Sequence, residues 1–415
     1  MINQKRFHIF LIRIEMRKMR MYRGIFIADI HIGAMKYDDT YDGCMYLKDL
    51  LKSYTKEGPL DFIIIGGDFF DKQLYANDPF INLAQKLMIY ILSCARIVRI
   101  VNGTSSHDSD QYGLFDTFIE DMPFLTGDLR YNLKVINTVT EEELLPGLNV
   151  LYIPEEYIFD KREYYEPYLS KKNHYDYIFG HGMIYEALSF KVKESPKVDH
   201  IRRKAPVFNS EELSYACKGK VYFGHEHHHA EILDKVFYVG SFFRWKFGEE
   251  EDKGFFFLTC NPEEGKYNQI FVVNEKSLKY VTITYGYKDS VFQSSEEMEK
   301  EAKEILKKKL KYGINYLKVI FNIPVGYENP EGLIHFWKER FKGQPNIKLE
   351  FSNGYVADKK KMQKEDVREL TDEHRILLDE NIPKNEKVSY FLKIRKGVEM
   401  SPERVTELLG SEEEK

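Results

Sequence analysis

Lys220-Val221-Tyr222-Phe223-Gly224-His225-Glu226-His227 is the stretch on which the reading of this chain turns. An apolar run of strand length stops at a glycine, and two imidazoles two residues apart follow it. Held just past the end of a strand, such a pair can reach two adjacent metal ions. Similar runs rich in Ile, Val, Phe and Tyr recur at Gly24–Ala28, Asp61–Ile65, Ile97–Val101, Leu148–Ile153, Tyr175–Phe179, Lys235–Val239 and Phe255–Thr259, and each predicts a strand. Apolar residues at helical spacing lie between several of them, as at Tyr46–Tyr54 and Pro79–Ser93. Strands alternating with helices early and strand-rich sequence later predict an α/β class with two packed sheets.

Residues suited to metal ligation follow these runs in order. Asp29-Ile30-His31-Ile32-Gly33 follows the first, Gly66-Gly67-Asp68 the second and His107-Asp108 the third. Gly180-His181-Gly182 follows the run Tyr175–Phe179, and Gly224-His225-Glu226-His227 the next. The glycines before Asp68 let the backbone turn tightly enough for its carboxylate to enter a crevice. Open α/β sheets bind their ligands in such crevices beyond strand ends. A lone Asp-x-His is most often surface sequence, and Gly-Asp is common by chance. The conjunction at five strand ends is what carries weight. Histidine and carboxylate donors suit first-row divalent ions such as manganese, iron or zinc better than an oxygen-only magnesium site.

Composition sets the bounds. The 415 residues, 43% hydrophobic and 14% aromatic, are enough for a catalytic-size domain and a smaller one. Sixty-one basic and 66 acidic residues give a net charge of −5, so no global positive field announces a nucleic-acid partner. Cys44, Cys94, Cys217 and Cys260 are scattered without a Cys-x-x-Cys pair, which reads as free thiols in a reducing compartment. Residues 1–21 form a basic extension whose apolar stretch Phe7–Ile14 is broken by Arg13. No signal peptide or membrane span is expected there. The start stays open among Met1, Met19 and Met21, and the expected location is the cytoplasm.

The order Asp-x-His, Gly-Asp, His-Asp, Gly-His, Gly-His-x-His resembles the calcineurin-like metallophosphoesterase superfamily. Tyr238-Val239-Gly240-Ser241-Phe242-Phe243-Arg244, then Glu249-Glu250 and Lys253-Gly254-Phe255, narrow the resemblance to SbcD-type nuclease subunits of double-strand-break repair complexes. It covers Tyr22 to Leu258 well and the remainder only in layout. The resemblance implies a four-layer sandwich, two packed mixed sheets flanked by helices, over residues 22–278. It further implies a smaller α+β capping domain over 279–353 and a charged helical tail over 354–415. In that pattern Asp29, His31 and His227 hold one metal, His181 and His225 the other, and Asp68 bridges them. The cofactors would be two divalent ions, manganese first, with magnesium, iron or zinc as alternatives. His107 would steady or protonate the leaving oxygen, with Asp108 orienting its imidazole.

One departure stands out. The family pattern is Gly-Asn-His-Asp, its Asn a ligand of the second metal, whereas this chain reads Asn102-Gly103-Thr104-Ser105-Ser106-His107-Asp108. Asn102, Ser106 and a water all stand as replacements for the amide. His228 and His229 exceed what the pattern needs and are expected to be exposed or outside the ligand set.

The function implied is a metal-dependent DNA exonuclease or endonuclease, the catalytic subunit of an SbcCD-like complex that processes DNA ends in repair and recombination. The polarity of digestion is open. The expected partners are double-stranded DNA ends, an SbcC-type coiled-coil ATPase on the C-terminal tail and a second copy of the chain. Lys191, Lys193, Lys197, Arg202, Arg203 and Lys204 form a basic loop suited to salt-sensitive phosphate contacts or simply to solvent. Phe70 and Asp71 stand either on the DNA path or in packing. The tail, with helical spacing at Lys361–Leu378 and a helix opened by Ser401-Pro402, is either solvated or docked on a partner. The alternative is a small-molecule phosphodiesterase or protein phosphatase on the same scaffold, and a non-catalytic scaffold is the third reading. A compact chain with a modified motif suits a phage or a small bacterial version.

Overall fold

The computed structural model describes residues 21–108, 110–115, 132–158, 161–187, 207–286, 295–323, 327, 329–344 and 346–352, with 383, 385–389, 401 and 403–406 in the tail. The extension before residue 21, the basic loop from Lys191 to Lys204 and the Lys361–Leu378 segment lie outside these residues. The chain divides into two compact units: residues up to 281 with 309–316, and residues 282–308 with 317 onward.

The first unit begins β1 (Tyr22–Ile27), α1 (Tyr37–Tyr54), β2 (Leu60–Gly66), α2 (Pro79–Cys94), β3 (Ala95–Val101) and β4 (Asn132–Ile136). It continues with β5 (Thr140–Leu145), β6 (Leu148–Ile153), α3 (Lys161–Leu169) and β7 (Tyr175–His181). After the two-residue strands β8 (Met183–Ile184) and β9 (Val207–Phe208) come α4 (Ser210–Ala216) and β10 (Cys217–Gly224). It closes with β11 (Ala230–Leu233), β12 (Val236–Tyr238), β13 (Gly254–Asn261) and β14 (Lys266–Val273). Two six-stranded sheets result, in the orders β14-β13-β1-β2-β3-β4 and β11-β12-β10-β7-β6-β5. Both are mixed: β1 to β4 run parallel while β13 and β14 pair antiparallel. In the second sheet β6, β7, β10 and β12 are parallel and the flanking β5 and β11 antiparallel.

The central strands are apolar throughout because both of their faces are buried. On β1, Ile25 and Ile27 join the core that holds Leu47 and Leu51 of α1 and Leu87 and Ile91 of α2. Phe26 and Ala28 point the other way, into the core between the sheets. There Phe26 stacks on Phe179 at 5.3 Å and tilts against Tyr222 at 5.6 Å. Each such fully buried ring contributes about 1.5–3 kcal/mol. On the outer face of the second sheet, Ile178, Val221 and Phe223 pack with Leu169 of α3 and Leu213 of α4. The layers therefore run helices, sheet, sheet, helices. α2 starts where Asp78 accepts a hydrogen bond from Phe80 N at 3.0 Å, with Pro79 as the first helical residue.

The second unit holds β15 (Tyr280–Gly286) from residue 282, α5 (Ser295–Lys311) to residue 308, β16 (Tyr316–Asn322) from residue 317, and the whole of α6 (Pro330–Arg340) and β17 (Ile347–Ser352). The strands form one sheet in the order β15-β16-β17, with β16 and β17 parallel. Trp337 is fully buried and stacks on Phe321 at 4.5 Å. In the tail, Ser401 Oγ accepts a bond from Arg404 N at 3.3 Å. No helix among the described residues is long and apolar enough to cross a membrane.

Candidate metal centre

The loops leaving β1 and β2 stay paired beyond the strands themselves. Asp29 N donates to Gly67 O at 3.1 Å, His31 N to Asp68 O at 3.0 Å and Ile32 N to Phe69 O at 2.9 Å. The pairing holds Asp29, His31 and Asp68 at φ of 51°, 49° and 49°, a left-handed region that non-glycine residues rarely enter. His225, just past β10, has φ 94°. Four of the six non-glycine residues with positive φ among the described residues are thus candidate ligands. Such backbone strain persists only where surrounding bonds impose it, and it clusters at functional sites.

These loops bring the predicted ligands together. His31 Nε2 lies 3.6 Å from Asp68 Oδ2 and 3.9 Å from Asp29 Oδ1. His181 Nε2 lies 3.4 Å from Asp68 Oδ1. Asp68 therefore turns one oxygen towards each histidine. Asp29, His31 and His227 each offer a donor atom within 4.8 Å of the other two, and so do Asp29, Asp68 and His181. A first-row ion bonded at about 2.0–2.2 Å needs donors spaced on that scale. His107 joins His31 and Asp68 within the same limit.

Two of the candidate histidines have partners at Nδ1 that set the direction of the ring. His181 Nδ1 lies 2.8 Å from Gly66 O, and His227 Nδ1 lies 2.9 Å from Glu249 Oε1. Outer partners of this kind fix a ligating imidazole's tautomer and aim its other nitrogen. His31 Nδ1 faces Asp71 Oδ1 at 3.3 Å without hydrogen-bond geometry. Among the described residues, both ring nitrogens of His31, His225 Nδ1 and Asn102 Oδ1 are buried with no hydrogen-bond partner. An orphaned buried polar atom costs about 1–3 kcal/mol, a cost that a bound cation removes.

The electrostatics point the same way. Burial, the largest influence, pushes the Asp29 carboxyl well above the usual carboxylate range. Burial also opposes ionisation of Asp68, but His181 outweighs it and holds Asp68 below that range. Burial brings His227 down to about 4 and lowers His31, so both imidazoles are neutral and able to ligate near neutral pH. The centre has more buried carboxylate than cationic partner, and a divalent ion would correct that imbalance.

Close approach makes two glycines obligatory. A Cβ on Gly67, which has φ 86°, would run into the His181 ring and lie 2.8 Å from Gly103 Cα. A Cβ on Gly103 would run into Asp68 and lie 2.8 Å from Asp108 Oδ2.

Asp108 has a different place from the one expected. Fully buried, it accepts hydrogen bonds from Gly103 N at 2.8 Å, Asp68 N at 3.1 Å and Phe70 N at 3.3 Å. The group that holds the His107 imidazole is the carbonyl of Asp71, 2.6 Å from Nδ1. Asp108 is thus a brace for the loops, not the orienting carboxylate of His107. Phe70 packs in the helix-side core, and Asp71 faces His31 and His107.

Ser106 is exposed on the single helical turn Ser105–Asp108. Asn102 closes β3, its N donating to Ile136 O at 2.9 Å and its O accepting from Glu155 N at 3.1 Å. That bond introduces a residue the sequence reading passed over. Glu155 Oε2 lies 3.2 Å from His225 Nδ1 and 3.6 Å from His181 Nε2. Glu155, His181 and His225 offer three donors within 4.8 Å of one another. The signal was there in Ile153-Pro154-Glu155: Leu148–Ile153 is the only one of the first six predicted strands with no site residue assigned to its exit.

The residues after the last histidine motif hold its loop. Lys253 Nζ donates to His227 O at 2.7 Å and also bonds the Glu251 carboxylate. Arg244 Nε donates to Glu251 O at 3.0 Å, and its backbone N donates to Ser277 Oγ at 2.9 Å. The Trp245 ring packs 4.4 Å from His31 and 4.5 Å from His227. His228 is largely exposed beside Glu251, and His229 stacks on Phe271 at 4.0 Å.

No family model matches the chain, and no curated protein matches it. Thirty-six chains of solved structures match. One of them, a crystal structure, aligns with 61% of this chain and 99% of its own at 12% identity and a TM-score of 0.30. At that distance the likeness carries no argument.

Proposed function

We propose that this chain is a metal-dependent phosphodiesterase of the calcineurin-like metallophosphoesterase superfamily, and within it a DNA nuclease of the SbcD type. The observation that supports this most is the position of Asp68, whose two oxygens lie 3.6 Å from His31 and 3.4 Å from His181. Asp29, His31 and His227 would hold one divalent ion, His181 and His225 a second, and Asp68 both. Held there, two such ions would clamp a phosphodiester and supply hydroxide near neutral pH. The mixed histidine and carboxylate donors favour manganese, iron or zinc, with manganese the first choice on the resemblance.

The chain's own residues supply the remaining roles. With Nδ1 on the Asp71 carbonyl, His107 keeps Nε2 for a proton at the leaving oxygen. Glu249 and Lys253 keep His227 in place through its Nδ1 and its carbonyl. Residues 279–353 are proposed as a DNA-capping domain and residues 354–415 as the docking site of a coiled-coil ATPase, in a cytoplasmic complex.

The test is cleavage of end-labelled linear duplex DNA by the purified full chain with manganese, with and without a coiled-coil ATPase encoded beside it. Bis(p-nitrophenyl) phosphate and a phosphopeptide serve as competing substrates. Cleavage of DNA that stops on chelation supports the proposal. Turnover of the small ester with DNA left intact would shift the function to a small-molecule phosphodiesterase.

A further inference from the structure

We propose that Glu155 is a ligand of the second cation, a carboxylate standing where the resemblance leads one to expect a neutral amide. The inference rests on the dinuclear reading above and deepens it. Two observations carry it. Glu155 Oε2 sits between His225 Nδ1 at 3.2 Å and His181 Nε2 at 3.6 Å, and that His225 nitrogen is buried without a hydrogen-bond partner among the described residues. The carboxylate is also held in position: Thr104 Oγ1 donates to Oε2 at 3.0 Å and Tyr157 Oη to Oε1 at 2.8 Å. Thr104 N in turn donates to Asp68 Oδ1 at 2.7 Å, so one residue ties Glu155 to the bridging carboxylate. A ligand with this outer support is restricted to one orientation before the ion arrives.

The consequence is a centre with two matched halves. One half has Asp29, His31 and His227, the other Glu155, His181 and His225, and Asp68 serves both. Each cation then meets two imidazoles, one carboxylate of its own and a share of a second. An anionic ligand in place of an amide strengthens binding at the second site. The two sites should therefore fill with similar affinity instead of one lagging far behind.

The experiment is a manganese titration of the full chain, followed by calorimetry and by metal analysis after dialysis. The wild type should hold two ions per chain. Glu155→Gln keeps the shape and removes the charge, and it should hold one ion tightly and the second more than about tenfold more weakly. Glu156→Gln is the control. Glu156 bonds Val139 N and Tyr164 Oη, away from the centre, and this variant should keep two ions. An unchanged near-ultraviolet circular dichroism spectrum would establish that Glu155→Gln is folded. Two ions bound equally well by wild type and Glu155→Gln would overturn this inference alone, as would loss of the second ion in Asn102→Ala but not in Glu155→Gln. A wild type that binds no manganese would overturn the dinuclear reading itself.

Discussion

The imidazole of His107 is anchored by the main chain of Asp71, with Nδ1 2.6 Å from the carbonyl oxygen. A carbonyl can only accept, so Nδ1 carries the proton and Nε2 is the free nitrogen. That tautomer suits a group that exchanges a proton with substrate. His107→Ala should keep both metal ions and lose about 10²–10⁴-fold in cleavage rate, the usual share of a general acid or base. Metal analysis of the variant checks this. If the ions go with the imidazole, His107 is a ligand.

Asp108 should matter to stability more than to proton transfer. Its two oxygens receive three backbone amides, from Gly103, Asp68 and Phe70, and burial together with nearby Asp68 raises its carboxyl to about 6. Asn at this position has one accepting oxygen instead of two, leaving at least one buried amide without a partner. Asp108→Asn should lower stability by about 1–3 kcal/mol, read as a reduced urea midpoint of the metal-free protein. An unchanged midpoint would mean that the loops hold without the brace.

Glu249 should act on metal affinity through His227. It is buried and bonds Nδ1 of that histidine at 2.9 Å and Trp245 N at 3.1 Å. Glu249→Ala should weaken binding of one of the two ions by about 10–100-fold, the usual cost of removing a partner behind a ligand. The second ion should be unaffected in the same calorimetric titration.

Gly67 should tolerate no side chain. At φ 86° an alanine is strained, and its Cβ would press on the His181 ring and lie 2.8 Å from Gly103 Cα. Gly67→Ala should cut manganese affinity and cleavage together, with a melting temperature measurably below that of the wild type. A variant with wild-type metal binding would show that His181 can move aside without losing its role.

Metal binding should release protons. Burial disfavours the cationic form of His181, but Asp68 outweighs it and raises His181 well above its ordinary value in the metal-free centre. His181 is therefore protonated near neutral pH, and a cation must displace that proton to bind. Affinity should rise as pH rises through the neutral range. Titrations in two buffers of different ionisation enthalpy should give different apparent heats. Equal heats would mean that His181 is neutral before the ion arrives.

How much of this was legible in the chain depends on where each element lies in its sheet. The predicted strands from Gly24–Ala28 to Phe255–Thr259 became β1, β2, β3, β6, β7, β10, β12 and β13, all interior to the two sheets. The longer strands that no apolar run announced, β4, β5, β11 and β14, are the four edges. Glu141, Glu142 and Glu143 in β5 and Lys266, Asn268 and Gln269 in β14 show why. An edge strand with one solvated face keeps polar residues, so its run is diluted.

The centre divides the same way. From sequence alone came the candidates Asp29, His31, Asp68, His181, His225 and His227 and their order, because each follows an apolar run and the composition of such a run is local. Only the tertiary structure put Glu155 beside His181 and His225, gave the imidazole of His107 to the Asp71 carbonyl and made Asp108 a brace. Those relationships join loops from different strands, often through backbone atoms that every residue carries. The pairing of distant strands therefore decides them, and no local pattern of side chains records it.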